Sequence, residues 1–363
     1  MLFRSTGFYD DNPKRESYSN HPLPDFGSRL DYGCLLNRYL DRFHYAQISY
    51  DAQFFAFSRN SRLDTVDQYF DGRWNWFDPQ IDLTGQGSYF KPRAHVAVTR
   101  MPQEFIAGAI PRRMQTLLTL PAGYKFGQQT LEFAPSYMQD RYLDGRFSVL
   151  SNSTVGGYVE MEWETAPGRT AWYLRPEFRA IEYRRNDLFN NFSVTSVRLG
   201  WRQAAAGGLT SDLGIDFEWF NRGTHRSLDG TPRTQISVSP YVELFWQIEP
   251  DSSSLRLTLQ RRYTPDVTTS ATALTDLRLL FTQMLAKDLL DANLRSRLAI
   301  SNRTDGTAAT FFEARCTISF HADKADWPPL TILAEIGLDI NQSDTSGSSY
   351  QARVASLGMR AVF

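Results

Sequence analysis

Charged side chains occupy alternate positions in a series of short stretches of this 363-residue sequence, and acidic stretches neighbour basic ones. If neighbouring stretches pair as antiparallel strands, opposite charges face each other across the pair. Such a face has two compatible interpretations. It forms an ion-pair lattice that stiffens a wall, or it lines a water-filled lumen whose arginines attract anionic solutes or an acidic polymer. The candidate lumen-lining residues are Arg175, Arg179, Arg198, Arg202, Arg256, Arg262, Arg295, Arg297, Glu160, Glu162, Asp216, Glu218, Glu243, Glu313, Arg315 and Glu335.

Motifs of known catalytic or metal sites are absent from the sequence. It has no GxSxG motif, no phosphate-binding glycine loop and no HExxH. The five histidines lack metal-ligand spacing, so we expect no metal and no cofactor. We expect no enzymatic activity either; the alternative is a hydrolytic site assembled at one rim from His225, His321 or Ser252.

The composition suits strands that are apolar on one side only. Aromatic residues make up 14% of the chain, yet the mean hydropathy is −0.41, a combination typical of membrane-spanning β-strands. No apolar run reaches the length of a transmembrane helix. The net charge of −1 gives no reason to expect a nucleic-acid partner. The basic residues are 34 Arg against five Lys, which favours fixed ion pairs over loosely solvated charge.

Apolar and polar residues alternate with period 2 in most of the chain from residue 44 onward, most clearly over 235–248. The stretch 102–114 breaks the period and is either a short inward loop or an irregular strand. Turn residues separate the stretches about every 20 positions. We therefore predict an all-β fold, a closed antiparallel up-and-down transmembrane β-barrel of about 14–16 strands, with 16 as the best count. Closure removes the edges that so long a meander would expose. The stretch 271–294 contains good helix formers, but its period-2 pattern favours strands.

The first 42 residues lack this alternation and are rich in Asp, Asn, Ser, Pro and Arg. We predict that residues 1–42 form a polar N-terminal arm or plug and that residues 43–363 form the barrel. The N-terminal stretch MLFRSTGFYDDNPKRES has no apolar signal-peptide core, so we expect the numbering to be that of a mature, exported chain. The cysteines Cys34 and Cys316 either pair or stay free.

The last stretch, YQARVASLGMRAVF, alternates apolar residues and ends on Phe363, which we expect to close the barrel. Tyr350, Ala352 and Val354 lie on the opposite count, and a β-bulge near Ser356 would reconcile them. With aromatic-bounded strands such as QISYDAQFFAF (47–57), this pattern resembles bacterial outer-membrane β-barrels, most closely poorly characterised β-barrel porin families. The resemblance covers nearly the whole barrel region, but it rests on a pattern and carries over no functional residue.

The resemblance implies a location in the bacterial outer membrane and a porin-like channel for passive passage of small polar or anionic solutes. The alternative is a structural barrel of a secretion or surface-polysaccharide export assembly, with residues 1–42 as plug or partner-binding element. The expected partners are outer-membrane lipid and, in an oligomer or envelope complex, other subunits.

Overall fold

A computed structural model describes most of the chain. The described residues are 2–17, 22–80, 84–100, 111–166, 168–184, 191–205, 207–222, 234–249, 252–264, 272–286, 289–303, 306–322, 330–344 and 349–362. Phe363, the predicted closing residue, and His225 lie outside these ranges. Among the described residues, no helix has the length and hydropathy of a membrane span.

Twenty β-strands make up nearly all of the described chain. They are β1 (Leu2–Asp10), β2 (Asp25–Tyr39), β3 (His44–Phe57), β4 (Thr65–Phe77), β5 (Gln86–Phe90), β6 (Arg93–Arg100), β7 (Arg112–Thr119), β8 (Ala122–Phe126), β9 (Gln129–Tyr142), β10 (Asn152–Ala166), β11 (Thr170–Tyr183), β12 (Phe192–Ala204), β13 (Leu209–Arg222), β14 (Thr234–Glu249), β15 (Ser253–Thr264), β16 (Thr272–Ala286), β17 (Leu290–Arg303), β18 (Ala308–His321), β19 (Leu330–Ser343) and β20 (Tyr350–Val362). Two short 3₁₀ helices cover Ser61–Leu63 and Gly145–Leu150.

The sheet closes on itself. Neighbouring strands of the wall pair antiparallel, and β1 also pairs with β20, from Leu2 opposite Val362 to Asp10 opposite Val354. Strands β5 and β6 both pair with β4 and are two halves of one wall strand, as are β7 and β8 along β9. The wall therefore has 18 strands, and the predicted closed up-and-down barrel is confirmed. The stretch 271–294 forms strands, as predicted.

The predicted boundary at residue 42 is wrong, because the barrel wall begins at Leu2. Strands β1 and β2 pair with each other over nine residues, and β2 continues along β3. These two strands account for the difference between the best count of 16 and the observed 18. Their period-2 pattern is weak because serine and glycine interrupt the outward-facing apolar positions, at Ser5, Gly7 and Ser28.

The two ends of the barrel differ in the length of their connections. At the end where β1 begins and β20 ends, named the turn end, connections are as short as the two residues between β8 and β9. At the opposite loop end, the longest connection is the 14 residues between β1 and β2. Short turns on one side and longer loops on the other are typical of outer-membrane barrels.

Prolines inside strands coincide with interruptions of the hydrogen-bonded ladder. Pro92 separates β5 from β6, and Pro121 separates β7 from β8. A proline cannot donate a backbone hydrogen bond to the next strand. Its carbonyl can still accept one, and the acceptors Pro92, Pro121 and Pro135 receive hydrogen bonds from the amides of Trp74, Lys91 and Leu120. The wall therefore stays continuous across these interruptions.

The outer face of the barrel is apolar. Exposed side chains on it include Val155, Leu199, Ile215, Ile236 and Ile336. Six tryptophans lie near the turn end of their strands and form an aromatic belt: Trp74, Trp76, Trp163, Trp172, Trp201 and Trp246. Aromatic belts of this kind sit at the interface between membrane and water.

The predicted β-bulge near Ser356 is wrong, because β20 keeps one register with β1 and β19 throughout. Tyr350 and Ala352 instead face inward, and both are buried. Arg15, from the connection between β1 and β2, reaches Asp10 and Asp339 on the two strands that flank β20. The connection between β1 and β2 therefore lies close to the inner face on which Tyr350 and Ala352 are buried.

A glycine on the inner wall makes a stability test. Tyr173 is fully buried and its ring lies where a Cβ on Gly200 would sit, while its hydroxyl donates to Asp212 at 2.5 Å. Gly200→Val must displace this ring, so we expect the free energy of unfolding in detergent micelles to fall by about 1–3 kcal/mol. Gly7→Val is the control, since nothing lies within 4 Å of the added Cβ. Equal stability of the two variants in urea titrations would contradict this packing.

Candidate functional site

The candidate site is the inner face of the barrel. The inward positions alternate with the exposed apolar positions of the outer face, as the pleat of a β-strand requires. The sixteen charged residues predicted to line a lumen all lie at inward positions by this alternation. Their ion pairs join neighbouring or next-neighbouring strands, so the predicted cross-strand lattice is present.

The densest part of the lattice centres on Arg202. Its guanidinium donates to Glu160 at 2.6 Å, to Glu162 at 2.5 Å and to Asp212 at 3.1 Å. It also stacks over the Tyr173 ring, with the guanidinium carbon 4.1 Å from the ring centroid. One cation thereby connects strands β10, β12 and β13 on the inner face.

Arginine and tyrosine interleave across the same wall, from β10 to β14. Arg198 makes a bidentate pair with Asp216 at 2.7 and 2.8 Å and lies 3.7 Å from the Tyr241 ring centroid. Arg175 lies 3.6 Å from the Tyr158 ring centroid. Cation–π stacking holds each guanidinium group flat against the wall. On these five of the 18 wall strands, the arginines are therefore stacked on aromatic rings.

The adjoining stretch of the wall, from β14 to β18, presents some of its arginines to solvent. Arg278 is 53% exposed while its partner Asp276 is 3% exposed. Arg295 is 63% exposed over Glu313 at 19%. Arg297 also donates to Asp276, at 2.9 Å. In these pairs the carboxylate lies against the wall and the guanidinium covers it.

The same layering recurs in most of the ion pairs around the lumen. The longer arginine side chain reaches past the shorter carboxylate, so the cation is the more exposed partner in Arg202–Glu160, Arg198–Asp216, Arg179–Glu218, Arg256–Glu243, Arg29–Asp31 and Arg73–Asp71. The carboxylate is slightly more exposed in Arg175–Glu177, Arg179–Glu177, Arg315–Glu313 and Arg15–Asp10. Charges therefore balance by number, but the surface that faces water consists largely of guanidinium groups.

Strands β1 to β6 add a charged group that the sequence prediction missed. Arg4 lies opposite Arg360 across the closing pair of strands, and Arg4 shares Asp31 with Arg29. Arg4 and Arg360 repel each other, as like charges directly opposite do. Because Arg4 and Arg29 also share one carboxylate, positive charges outnumber negative ones at this corner. Arg4 and Arg29 were missed because residues 1–42 were assigned to an arm. The alternation of Arg29, Asp31 and Gly33 was the available signal.

Two cavities in the lumen share Arg4 and Arg29 in their lining. One, of about 350 Å³, lies toward the loop end and is bordered by Phe8, Phe55 and Phe57 as well as arginines. The other, of about 540 Å³, lies toward the turn end and is lined mainly by polar side chains. Because both contact the same two arginines, we interpret them as one cationic passage along β1 to β4.

Toward the loop end, the inner face becomes apolar. One cluster of buried residues joins Ile181, Tyr183, Phe192, Val194, Phe220, Tyr263 and Ala273. A second joins Ala299, Phe311 and Tyr350, with Leu274 packed against it. The lumen is therefore charged in its middle and at the turn end, and narrowed by apolar side chains near the loop end. The sequence prediction of strands with one polar face holds only for the charged part.

The connection between β1 and β2 also enters the loop end of the lumen. Arg15 is buried and donates to Asp10 at 2.7 Å and to Asp339 at 2.9 Å. Burial alone lowers the pKa of Arg15, but these two carboxylates outweigh it and raise the pKa. The Asn12 side chain donates to the carbonyl of Gln351 at 2.9 Å and fixes the connection to β20.

The rim residues considered for hydrolysis do not come together in the part of the chain that the structure describes. Ser252 donates to Glu249 at 2.6 Å. His321 contacts Asp291 at 2.5 Å and Thr331 at 3.4 Å. Within the described residues, no group of His, Cys, Asp and Glu side chains has the arrangement of a metal site. Cys34 and Cys316 are both free.

The barrel combines a closed sheet, an apolar outer band with an aromatic belt, and a charged interior. The chain folds as an outer-membrane-type β-barrel. The fold implied by the family resemblance is thereby confirmed from the geometry of this chain.

Comparisons with known proteins add no family assignment. No protein-family model and no curated protein sequence matches the chain. Similar solved structures include OpdK from Pseudomonas aeruginosa with vanillate, at 9% identity, 99% coverage of this chain, 97% of that chain and a TM-score of 0.49. OccK2 (OpdF) from the same organism is 9% identical, with 99% of this chain and 95% of that chain covered and a TM-score of 0.48. The FrpB iron transporter from Neisseria meningitidis is 10% identical, with 100% of this chain and 82% of that chain covered and a TM-score of 0.48. At these identities and scores, shared function does not follow.

The two kinds of lumen arginine should differ in their contribution to stability. Arg202→Gln leaves three inward carboxylates without their shared cation, so we expect the free energy of unfolding to fall by about 2–3 kcal/mol. Arg256→Gln removes a solvent-exposed pair with Glu243, and we expect a loss below about 1 kcal/mol. Guanidinium chloride unfolding in detergent micelles, followed by tryptophan fluorescence, measures both. A larger loss for Arg256→Gln would contradict the lattice described for β10 to β13.

Proposed function

We propose that this chain is an outer-membrane channel for the passive passage of small polar or anionic solutes. The observation that carries the proposal is the layering of guanidinium groups over carboxylates around the lumen. An anion that enters meets the exposed Arg256, Arg278 and Arg295, whereas a cation finds the carboxylates largely covered. Charged groups lining a narrow passage select ions of the opposite sign.

The size of the barrel supports a conduit. Barrels of 16–18 strands leave an aqueous interior that side chains do not fill. Arginine side chains more than half exposed on the inner face of β15 to β17 agree with water in this interior. The cationic passage along β1 to β4 gives a second stretch with free volume, and it too is lined by arginines.

The outer surface supports the proposed location. The exposed apolar band would face lipid, and the tryptophan belt would mark the interface at the turn end. By the usual asymmetry of such barrels, the turn end would face the periplasm and the loop end the exterior. The scaffold alternative relied on residues 1–42 as a free element, and two strands of the wall occupy most of that segment.

Charge reversal of the exposed arginines tests the proposal. The wild-type protein, refolded in a planar bilayer under a potassium chloride gradient, should show a reversal potential of the sign given by anion preference. The triple variant Arg256→Glu/Arg278→Glu/Arg295→Glu should lose this preference or invert it, because the covering cations become anions beside Asp276 and Glu313. Single-channel recording measures both the conductance and the reversal potential.

The matched control is the triple lysine variant at the same three positions, which keeps the charge and should keep the sign of the reversal potential. A cation preference in the wild type, or the same selectivity in the glutamate and lysine variants, would refute the assignment of selectivity to these arginines. A correctly folded wild type without conductance would refute the channel itself.

A further inference from the structure

In the part of the chain that the structure describes, the wall has a seam between β14 and β15. Their ladder runs from the turn end as far as Val242 opposite Leu259 and stops there. Both strands continue toward the loop end, β14 back to Thr234 and β15 on to Thr264, and each stays paired with its other neighbour. Two adjacent strands therefore separate over close to half of their length while remaining strands.

A proline begins the separation but does not explain its extent. Pro240 would be the second residue beyond the last pair, and it has no amide to donate to β15. Pro176 interrupts the ladder between β10 and β11 in the same way. That ladder resumes at Tyr158 opposite Glu177 and continues to the loop end. At the seam, an interaction other than the missing proline amide must therefore keep β15 from pairing with β14.

The end of β15 is held by contacts inside the barrel. The Tyr263 ring stacks on Phe220 of β13, with centroids 4.8 Å apart, and its hydroxyl donates to Gln235 at 3.0 Å. Arg179 of β11, four strands away along the wall, donates to the Tyr263 carbonyl at 3.2 Å. Strand β15 therefore turns inward at its end and lies against the inner faces of its neighbours.

The end of β16 that pairs with this end of β15 also lies inside the barrel and contributes to both apolar clusters. Ala273, opposite Tyr263, belongs to the cluster on β11 to β13. Leu274 packs against the cluster formed by Ala299, Phe311 and Tyr350. The ends of β15 and β16, residues 260–264 and 272–276, here named the hairpin end, thus lie between two parts of the inner wall and narrow the lumen.

We propose that the hairpin end is a gate with two positions. In the tucked position, which the structure describes, Tyr263 packs on Phe220 and the loop end of the lumen is narrow. In the paired position, the ladder extends in its present register, which sets Ser239 opposite Arg262 and Val238 opposite Tyr263, and the hairpin end joins the wall. The effect of the gate on conductance rests on the proposed channel function. The two positions themselves are a property of the fold.

The seam has features that allow both positions. The tucked position buries Tyr263 and Phe220 but leaves the edge of β14 unpaired beyond Val242. It also buries Ser239 Oγ and Arg261 Nε without hydrogen-bond partners among the described residues. The paired position would restore ladder bonds and turn Tyr263 outward, but it lacks the donor at Pro240 and exposes the apolar cluster. The tucked position thus buries the apolar cluster but lacks the ladder hydrogen bonds, whereas the paired position has these bonds but exposes the cluster.

Restoring the missing donor tests the gate. Pro240→Val supplies an amide to the ladder between β14 and β15, so the paired position should become about fivefold more populated, and the time-averaged conductance should rise. Pro176→Val is the matched control, because it adds an amide to a ladder that has already resumed, and its conductance should equal that of the wild type. Equal effects of the two substitutions would overturn the gate.

Crosslinking tests the two positions without relying on conductance. In a background with Cys34→Ser and Cys316→Ser, the pair Ser239→Cys/Arg262→Cys should form a disulfide only in the paired position. The pair Phe220→Cys/Tyr263→Cys should react with a short bifunctional thiol reagent in the tucked position. The first crosslink should raise the conductance and the second should lower it, both reversibly with reductant. Ser193→Cys/Asn221→Cys, opposite each other on β12 and β13, is the neutral control.

The outcomes separate the gate from the channel. If the Ser239/Arg262 pair never forms a disulfide while the control pair does, the hairpin end has one position and the gate is wrong. The gate is also wrong if both crosslinks form and the conductance is the same. If both crosslinks form and every variant, including the wild type, is silent, the hairpin end moves but the channel function is refuted.

Discussion

The structure depends on the closure of the sheet, that is, on the pairing of the first strand with the last. Unpaired amides and carbonyls are costly in lipid, so a membrane-facing sheet must close. Closure between β1 and β20 fixes which positions face inward along every strand. The apolar belt outside and the charged surface inside are both consequences of this single register.

Inside the barrel, the difference in length between arginine and carboxylate side chains sets the character of the surface. The acids stay close to the wall and the guanidinium groups extend over them, as in Arg278 over Asp276. On the β10 to β13 side, tyrosines fix the arginines flat and the wall becomes rigid. A lattice that holds the wall together and a cationic lining for passing solutes are therefore the same residues.

The sequence was sufficient for the fold wherever one face of a strand is consistently apolar, which covers the sixteen wall strands after residue 43. It was insufficient for β1 and β2, where serine and glycine stand at outward positions and only the pairing with β20 and β3 identifies the strands. The candidate lumen residues could be placed on one face by parity. Their layering and the inward turn of Tyr263 could not, because both depend on contacts between strands far apart in the chain.

The preference for arginine over lysine in this chain has a consequence for the environments in which the lumen keeps its charge. Guanidinium groups remain protonated at any pH a cell envelope meets, whereas lysine ammonium groups begin to lose protons in strongly alkaline surroundings. With 34 arginines and five lysines, the positive lining does not titrate away as the medium becomes alkaline. The guanidinium groups that lie over the carboxylates of the lumen thus keep their charge throughout this range of pH.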